Sequence, residues 1–169
     1  WFGGGGQGYG FNVSRSHDNL LERNESQNVR HAFVINFGNG GNLIRYNKTA
    51  DTTLAAIDVH GEYNYDNLIF ENEIHRSGST GIVIGGGGDE VHYNDGPGNV
   101  VQGNVIISSE RGVSVRDETH DTIVIGNTII EARREAILVT GSSHRAQIKD
   151  NVIVNPGTVG IYVQGDDAV

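Results

Sequence analysis

The chain has 169 residues, the length of one domain, with 25 glycines, two prolines and no cysteine. The absence of cysteine excludes a disulfide scaffold and a cysteine-ligated metal. A net charge of −9 argues against a general binder of nucleic acid or of anionic membranes. No apolar run approaches the roughly 20 residues that a membrane helix needs, so we expect no membrane insertion.

A strand pattern recurs along the whole chain. It consists of a small residue, an apolar residue, any residue, a second apolar residue and any residue. Alternation with a period of two is typical of a half-buried strand, so the two apolar positions point inward and the third and fifth positions point outward. The copies occupy residues 10–14, 32–36, 56–60, 81–85, 112–116, 136–140 and 160–164.

After each of the first six copies come a short apolar segment, an asparagine and a third short strand. The asparagines are Asn24, Asn47, Asn72, Asn104, Asn127 and Asn151, with spacings of 23, 25, 32, 23 and 24 residues. Repeats of this length that contain only short strands are typical of a solenoid. We expect the asparagines to stack at a buried corner, where each amide can bond the coils next to it.

Because successive coils repeat the same strands in the same direction, the sequence predicts an all-β fold, a parallel β-helix of about six to seven coils. The crossover rule predicts right-handed winding. We expect a single domain over residues 1–169 with uncapped ends, which is a segment of a longer β-helix. The spacing of 32 indicates an inserted loop at residues 85–98.

One coil carries unusual outward residues. Asp58 and His60 are two apart on one strand, so their side chains leave the same face about 6–7 Å apart, and Glu62 follows at the turn. Asp58 and His60 can act as base, acid or orienting partner in proton transfer. We therefore predict Asp58, His60 and Glu62 as catalytic residues.

Neighbouring coils add further candidates. Arg30 and His31 precede the strand of the coil before and are also predicted to be catalytic, while Asn36 lies beside His60. Arg116 stands two coils after Asp58, and an arginine can neutralise a carboxylate through a bidentate contact. We predict that Asn36 and Arg116 bind substrate. We add His92 and Tyr93, because a long loop on one side of a solenoid is usually a binding element.

These residue types suit proton transfer on a sugar. On a uronate polymer, arginine would neutralise the carboxylate while a base and an acid carry out β-elimination. On a neutral polymer, Asp58 and Glu62 would act as the two carboxylates of a hydrolase. His60 with Asp58 or Glu62 could alternatively bind a metal. The sequence identifies no cofactor, and Ca²⁺ is the cation that the acidic pairs at 89–90 and 166–167 would attract.

The strand and corner motifs resemble those of the pectate-lyase-like superfamily of right-handed parallel β-helix proteins. Residues 57–60, Ile-Asp-Val-His, are also similar in part to the aromatic-Asp-Pro-His strand of the mannuronan epimerases and their lyase relatives. This resemblance implies roles for Asp58 and His60 at the sugar, an extracellular polysaccharide as partner, and a secreted or cell-surface location. The alternative is a glycan-binding or structural solenoid without activity, as in an adhesin, a fibre or a tailspike.

Overall fold

The computed structural model describes residues 8–61, 63–85, 96–141 and 143–164, and these contain only strands and turns. The strands form three parallel sheets, which we name A, B and C. In spatial order, sheet A contains β1 (Tyr9–Ser14), β4 (His31–Asn36), β7 (Ile57–His60), β10 (Thr80–Ile84), β13 (Arg111–Val115), β16 (Ile137–Val139) and β19 (Ile161–Val163). Sheet B contains β2 (Leu20–Glu22), β5 (Leu43–Arg45), β8 (Leu68–Phe70), β11 (Val100–Gln102), β14 (Ile123–Ile125) and β17 (Gln147–Lys149). Sheet C contains β3 (Glu25–Gln27), β6 (Lys48–Ala50), β9 (Glu73–His75), β12 (Val105–Ile107), β15 (Thr128–Ile130) and β18 (Val152–Val154).

Each strand pairs in parallel with the equivalent strand one coil away, which confirms the predicted β-solenoid of about six turns. The predicted inward column of sheet A is also confirmed, since Phe33 pairs with Phe11 on one side and with Ile57 on the other. Phe11 and Phe33 stack with their ring centroids 4.8 Å apart. The register that the sequence pattern predicts is therefore the register of the sheet.

The core is formed by the inward columns of the three sheets. Ile57 of sheet A, Ile44 of sheet B and Ile74 of sheet C are each fully buried. Burying such a side chain contributes about 1.5–3 kcal/mol to stability, and the contribution is repeated in every coil. Ser26 and Thr49 occupy the inward column of sheet C in the first coils, as predicted.

The asparagine column lies at the corner between sheets B and C and forms the predicted ladder. Asn72 is typical, because its Oδ1 accepts from the backbone N–H of Asn47 at 3.0 Å and from the Asn47 side chain at 2.9 Å. Its Nδ2 donates to the carbonyl of Ile44 at 2.8 Å and to Oδ1 of Asn104 at 2.9 Å. Asn72 is only 1 % exposed, so the ladder satisfies buried polar groups that would otherwise destabilise the fold.

A second asparagine ladder, which the sequence reasoning missed, lies at the corner between sheets A and B. The side chain of Asn42 donates to Oδ1 of Asn67 at 2.9 Å, and Asn67 donates to Oδ1 of Asn99 at 2.9 Å. Asn19 begins this ladder with a bond of 2.8 Å to Asn42. Two of the three corners are therefore built on the same stacked amides.

The backbone bends at the residue just before each ladder asparagine. Arg23, Tyr46 and Glu71 precede Asn24, Asn47 and Asn72, and they have φ values of 54°, 55° and 48°. This left-handed conformation is uncommon for residues other than glycine and asparagine. Its recurrence from coil to coil means that the turn geometry, rather than a particular side chain, is repeated.

The outward positions of sheet A are less exposed than the strand pattern predicts. Val34, Asp58 and Val83 lie in one outward column, yet they are 0 %, 8 % and 3 % exposed. At Gly85 there is no open space over the strand either. Its φ is 125°, and the Arg116 backbone lies where a side chain would begin. The outer face around Asp58 is thus a recess and not a flat, solvated surface.

Several predicted residues lie outside the described ranges, namely Glu62, His92, Tyr93 and the acidic pairs at 89–90 and 166–167. The same holds for most of the predicted insertion. Among the described residues, no helix is long and apolar enough to cross a membrane.

Candidate functional site

A groove of about 340 Å³ lies on the outer face of sheet A, and Asp58 is part of its lining. The structure brings together in this groove five of the residues that the sequence predicts as functional. They are Arg30, His31, Asp58, His60 and Arg116. They come from three different coils, so only the solenoid winding makes them neighbours.

Two imidazoles flank the carboxylate of Asp58. The Nδ1 atom of His60 lies 3.0 Å from Oδ2 of Asp58, and the Nδ1 atom of His31 lies 3.4 Å from the same oxygen. Asp58 and His60 lie two residues apart on β7, and therefore on the same face, while His31 begins the neighbouring strand β4. Each imidazole therefore lies within ion-pair distance of the carboxylate, although neither Nδ1 meets the geometry of a hydrogen bond to it.

The two histidines differ in their access to solvent. The side chain of His31 is 8 % exposed, whereas that of His60 is 23 % exposed. Burial lowers the pKa of His31, and the nearby Arg30 and His60 lower it further, while the Asp58 carboxylate acts in the opposite direction. His31 is therefore neutral at pH 7, and His60 is the imidazole that a ligand can reach.

Two buried side-chain oxygens on β4 and β7 have no hydrogen-bond partner among the described residues. Oδ1 of Asp58 and Oδ1 of Asn36 are both buried, and neither accepts a hydrogen bond within the described part of the chain. Asn36 pairs in register with His60, as the sequence predicts. Its carbonyl accepts a bond from the side chain of Asn39. Such acceptors are rare in folded proteins. Others occur away from the groove, at Thr49 and Thr122, and of the two on β4 and β7 only Asp58 lines the groove.

The two arginines at the groove are held differently. The guanidinium of Arg30 lies 5.8 Å from the ring centroid of Tyr9, a cation–π distance. Nε of Arg116 lies 3.5 Å from the carboxylate of Asp117, and its side chain is 40 % exposed. Burial raises the pKa of Asp117, while the neighbouring Arg116 acts in the opposite direction. The side chain of Arg116 is partly exposed and lines the groove, so a ligand can reach it.

Tyr9 was not predicted from the sequence, although it lines the groove together with Ser79. A signal was present, because Tyr9 precedes the first strand pattern as His31 precedes the second. The two residues pair in the sheet, with ring centroids 5.5 Å apart. Aligning the residue before each pattern would have placed Tyr9 beside His31.

Metal ligation finds no support among the described residues, where no group of three histidine or carboxylate side chains is placed to hold an ion. Asp58 has two histidines beside it, but both direct Nδ1 towards the same oxygen. The residues expected to bind calcium lie outside the described ranges.

A second groove, of about 260 Å³, runs along β3, β6 and β9. It contains another acid-x-histidine pair, in which Nε2 of His75 lies 2.8 Å from Glu73. The hydrogen bond from His75 lowers the pKa of Glu73, and Lys48 pairs with the other carboxylate oxygen at 3.4 Å. This carboxylate is partly exposed and satisfied by its neighbours, in contrast to Asp58, so the groove on sheet A is the stronger candidate.

Comparison with proteins of curated function found no match. The family model described as "Right handed beta helix region" matches residues 84–169, just over half of the chain. This match agrees with the parallel solenoid of the structure, and a β-helix is compatible with carbohydrate-active and with structural roles. The chain belongs to the right-handed β-helix family.

Proposed function

We propose that this β-helix cleaves an extracellular uronate-containing polysaccharide by β-elimination in the groove at Asp58. The observation that carries the proposal is the cluster in which two imidazoles share one buried carboxylate, with two arginines lining the same groove. Such a cluster joins a base to an anion-binding surface, and elimination on a uronate requires both.

His60 is the base in this proposal. Its Nδ1 lies against Asp58, and its side chain is the more exposed of the two imidazoles. Nε2 takes the proton from the ring carbon next to the substrate carboxylate, and the negative charge of Asp58 stabilises the imidazolium that forms. His31, neutral and buried, lies against the same Asp58 oxygen and helps to position the carboxylate.

Arg116 and Arg30 bind the substrate carboxylate. Neutralising this group lowers the cost of removing the adjacent proton, because negative charge then develops beside a cation. The protein carries a net charge of −9, so an anionic polymer is attracted only where a local cluster of arginines outweighs the overall field.

The elimination balances without a co-reactant. The carbon–hydrogen bond breaks and its electron pair forms a carbon–carbon double bond, while the bond to the glycosidic oxygen breaks. The imidazolium of His60 returns the proton to the departing oxygen. The products are a shortened chain with a new hydroxyl end and a second chain with an unsaturated end.

The test is to incubate the protein with a panel of uronate polymers and to follow absorbance in the ultraviolet, where the unsaturated ends absorb. We expect absorbance to rise with the wild type and to fall by about 100-fold or more in rate with His60→Ala. His75→Ala is the matched control, because His75 also follows a carboxylate by two residues on a strand and lies outside the groove. Its rate should be unchanged.

Two other outcomes would contradict elimination and would each support a different function. Reducing ends that form without ultraviolet absorbance would indicate hydrolysis, with Asp58 and Glu62 as the two carboxylates. Binding of a polymer without any cleavage would indicate a glycan-binding or structural solenoid.

A further inference from the structure

A further cleft lies at the corner between sheets A and B, beyond the ends of β4 and β7. It is separate from the groove at Asp58 and from the groove along β3, β6 and β9. Its volume is about 410 Å³. Its lining has a simple pattern over three successive coils, since each coil contributes two adjacent residues. They are His17 and Asp18, then Gly40 and Gly41, then Tyr65 and Asp66.

The two glycines form a floor without side chains. The ring of Tyr65 lies over Gly40, where a Cβ atom would clash with it. The carboxylate of Asp18 lies over Gly41, whose φ of 66° favours glycine in any case. Side chains from the preceding and the following coil thus lie over the middle coil, and a larger residue at either glycine would clash with them.

The ring of His17 forms the opposite wall. Its centroid lies 6.2 Å from that of Tyr65, with the ring planes 41° apart. The backbone N–H of Gly40 donates to Nδ1 of His17 at 3.1 Å. Nδ1 is therefore an acceptor, and the neutral imidazole carries its proton on Nε2. The ring is fixed, and Nε2–H remains as a donor.

The cleft contains both hydrogen-bond donors and acceptors. Nε2–H of His17 donates, the Tyr65 hydroxyl can do both, and the carboxylates of Asp18 and Asp66 accept. Sugar hydroxyl groups also donate and accept, and the apolar face of a pyranose ring packs against aromatic rings. A protonated amine, in contrast, could not accept from the imidazole.

Charge decides which sugars fit. Two carboxylates belong to the lining, and no lysine or arginine does among the described residues. A uronate would be repelled there, in contrast to the groove at Asp58 with its two arginines.

We propose that the cleft of His17, Gly40, Gly41 and Tyr65 binds an uncharged pyranose residue, with Tyr65 as the stacking platform and Asp18 and Asp66 as acceptors for its hydroxyl groups. The site is separate from the groove at Asp58. It would allow the protein to hold a polymer that contains neutral sugars, whether or not the protein cleaves it.

The test is a titration of isotope-labelled protein with uncharged gluco-, manno- and galacto-oligosaccharides and with an oligouronate, followed by the amide signals of Gly40 and Gly41 in NMR spectra. We expect at least one uncharged oligosaccharide to shift both signals and the oligouronate to leave them in place. Tyr65→Ala should weaken binding by roughly tenfold, the loss expected when a stacking ring is removed. Tyr63→Ala is the matched control, because Tyr63 is 61 % exposed on the same coil and does not line the cleft.

Two further variants keep the test valid if the Tyr65→Ala protein does not fold. Gly40→Ala should weaken binding because its methyl group displaces the Tyr65 ring, while Tyr65→Phe should keep most of the affinity. The proposal is overturned if no uncharged sugar shifts the two glycine signals at millimolar concentration, or if Tyr65→Ala binds as well as the wild type. Because the measurement is binding and not cleavage, its result is separate from that of the elimination test.

Discussion

The corner at Asn72 and the groove at Asp58 are both buried and polar, but they differ in how often their residues recur and in how well they are satisfied. Asn72 has an equivalent in each of six coils, and both its Oδ1 and its Nδ2 are hydrogen-bonded. Asp58 has valine on either side in its column, and its Oδ1 is without a partner among the described residues. We therefore assign the repeated, fully bonded asparagines to the fold, and take Asp58, which occurs once in its column and lines a groove, as the better candidate for a binding or catalytic role.

The strongest test of this contrast is Asp58→Asn. We expect the elimination rate to fall by about 1,000-fold, equivalent to roughly 4 kcal/mol, because the amide no longer stabilises an imidazolium at His60. The free energy of unfolding should change by less than about 1 kcal/mol, since no ladder bond is lost. The measurements are initial rates by ultraviolet absorbance and urea denaturation.

Ser114→Ala is the control for this variant. Ser114 lies in the same outward column two coils away and is equally buried, but it does not line the groove. Its rate should match the wild type. If the Asp58→Asn protein kept full activity, Asp58 would have no role in elimination, and the proposed difference between the groove and the corner would be wrong.

At the corner we expect the opposite behaviour. Asn72→Ala removes the acceptor of two donors of Asn47 and the donor to the carbonyl of Ile44. Because these groups are buried, unfolding should become easier by about 3 kcal/mol, which urea denaturation would measure. Residual activity of the folded fraction should be unchanged. Asn24 is partly buried, and its side chain bonds only Asn47 within the described part of the chain, so Asn24→Ala should cost about 1 kcal/mol. Equal losses at both positions would contradict the ladder argument.

The fold could be predicted from the sequence because its signals are periodic. The inward columns, the Asn72 ladder and the pairing of Asn36 with His60 all follow from the register of one strand pattern. The second ladder was missed because it extends over only four coils, with Thr122 and Ala146 in place of asparagine. The left-handed turns were missed because residues such as Arg23 and Glu71 carry no turn signal in the sequence.

Five residues that line the groove could be named from the sequence, but their geometry could not. A strand pattern fixes which face Asp58 and His60 share, yet it cannot fix side-chain rotamers, and so it did not reveal that His31 and His60 approach the same carboxylate oxygen. Burial was also missed, because period-two alternation does not distinguish a recess from an open face. The cleft at Gly40 and Tyr65 depends on side chains that lean across coils, which no single-coil pattern encodes.

The smallest expected effect is the pH dependence of stability. It should arise at His31 and not at the asparagine ladder, because the ladder has no titratable group. Burial holds the pKa of His31 below its ordinary value of about 6.5, against the opposing Asp58 and together with Arg30 and His60. The unfolded chain therefore binds a proton more readily than the folded chain. This contribution to stability is complete above pH 6.5 and is lost as pH falls towards the lower folded value.

We expect the free energy of unfolding to fall between pH 7 and pH 5 through this residue. In His31→Asn the fall over the same range should be smaller, as measured by urea denaturation at each pH. His75→Ala is again the control, because His75 is partly exposed and lies at the other groove. An identical pH dependence in His31→Asn and the wild type would show that the burial of His31 has no effect on stability.

The left-handed corner residues have a consequence for engineering. The column that contains Arg23, Tyr46 and Glu71 also contains Gly103 and Gly126, all with the same sign of φ. The turn fixes the shape of the backbone, and its side chains at Arg23, Tyr46 and Glu71 are exposed, so these three positions are attachment points. They can carry a charge, a ring or a chemical label in a row at the coil-to-coil spacing, whereas a side chain at Gly103 or Gly126 would be strained.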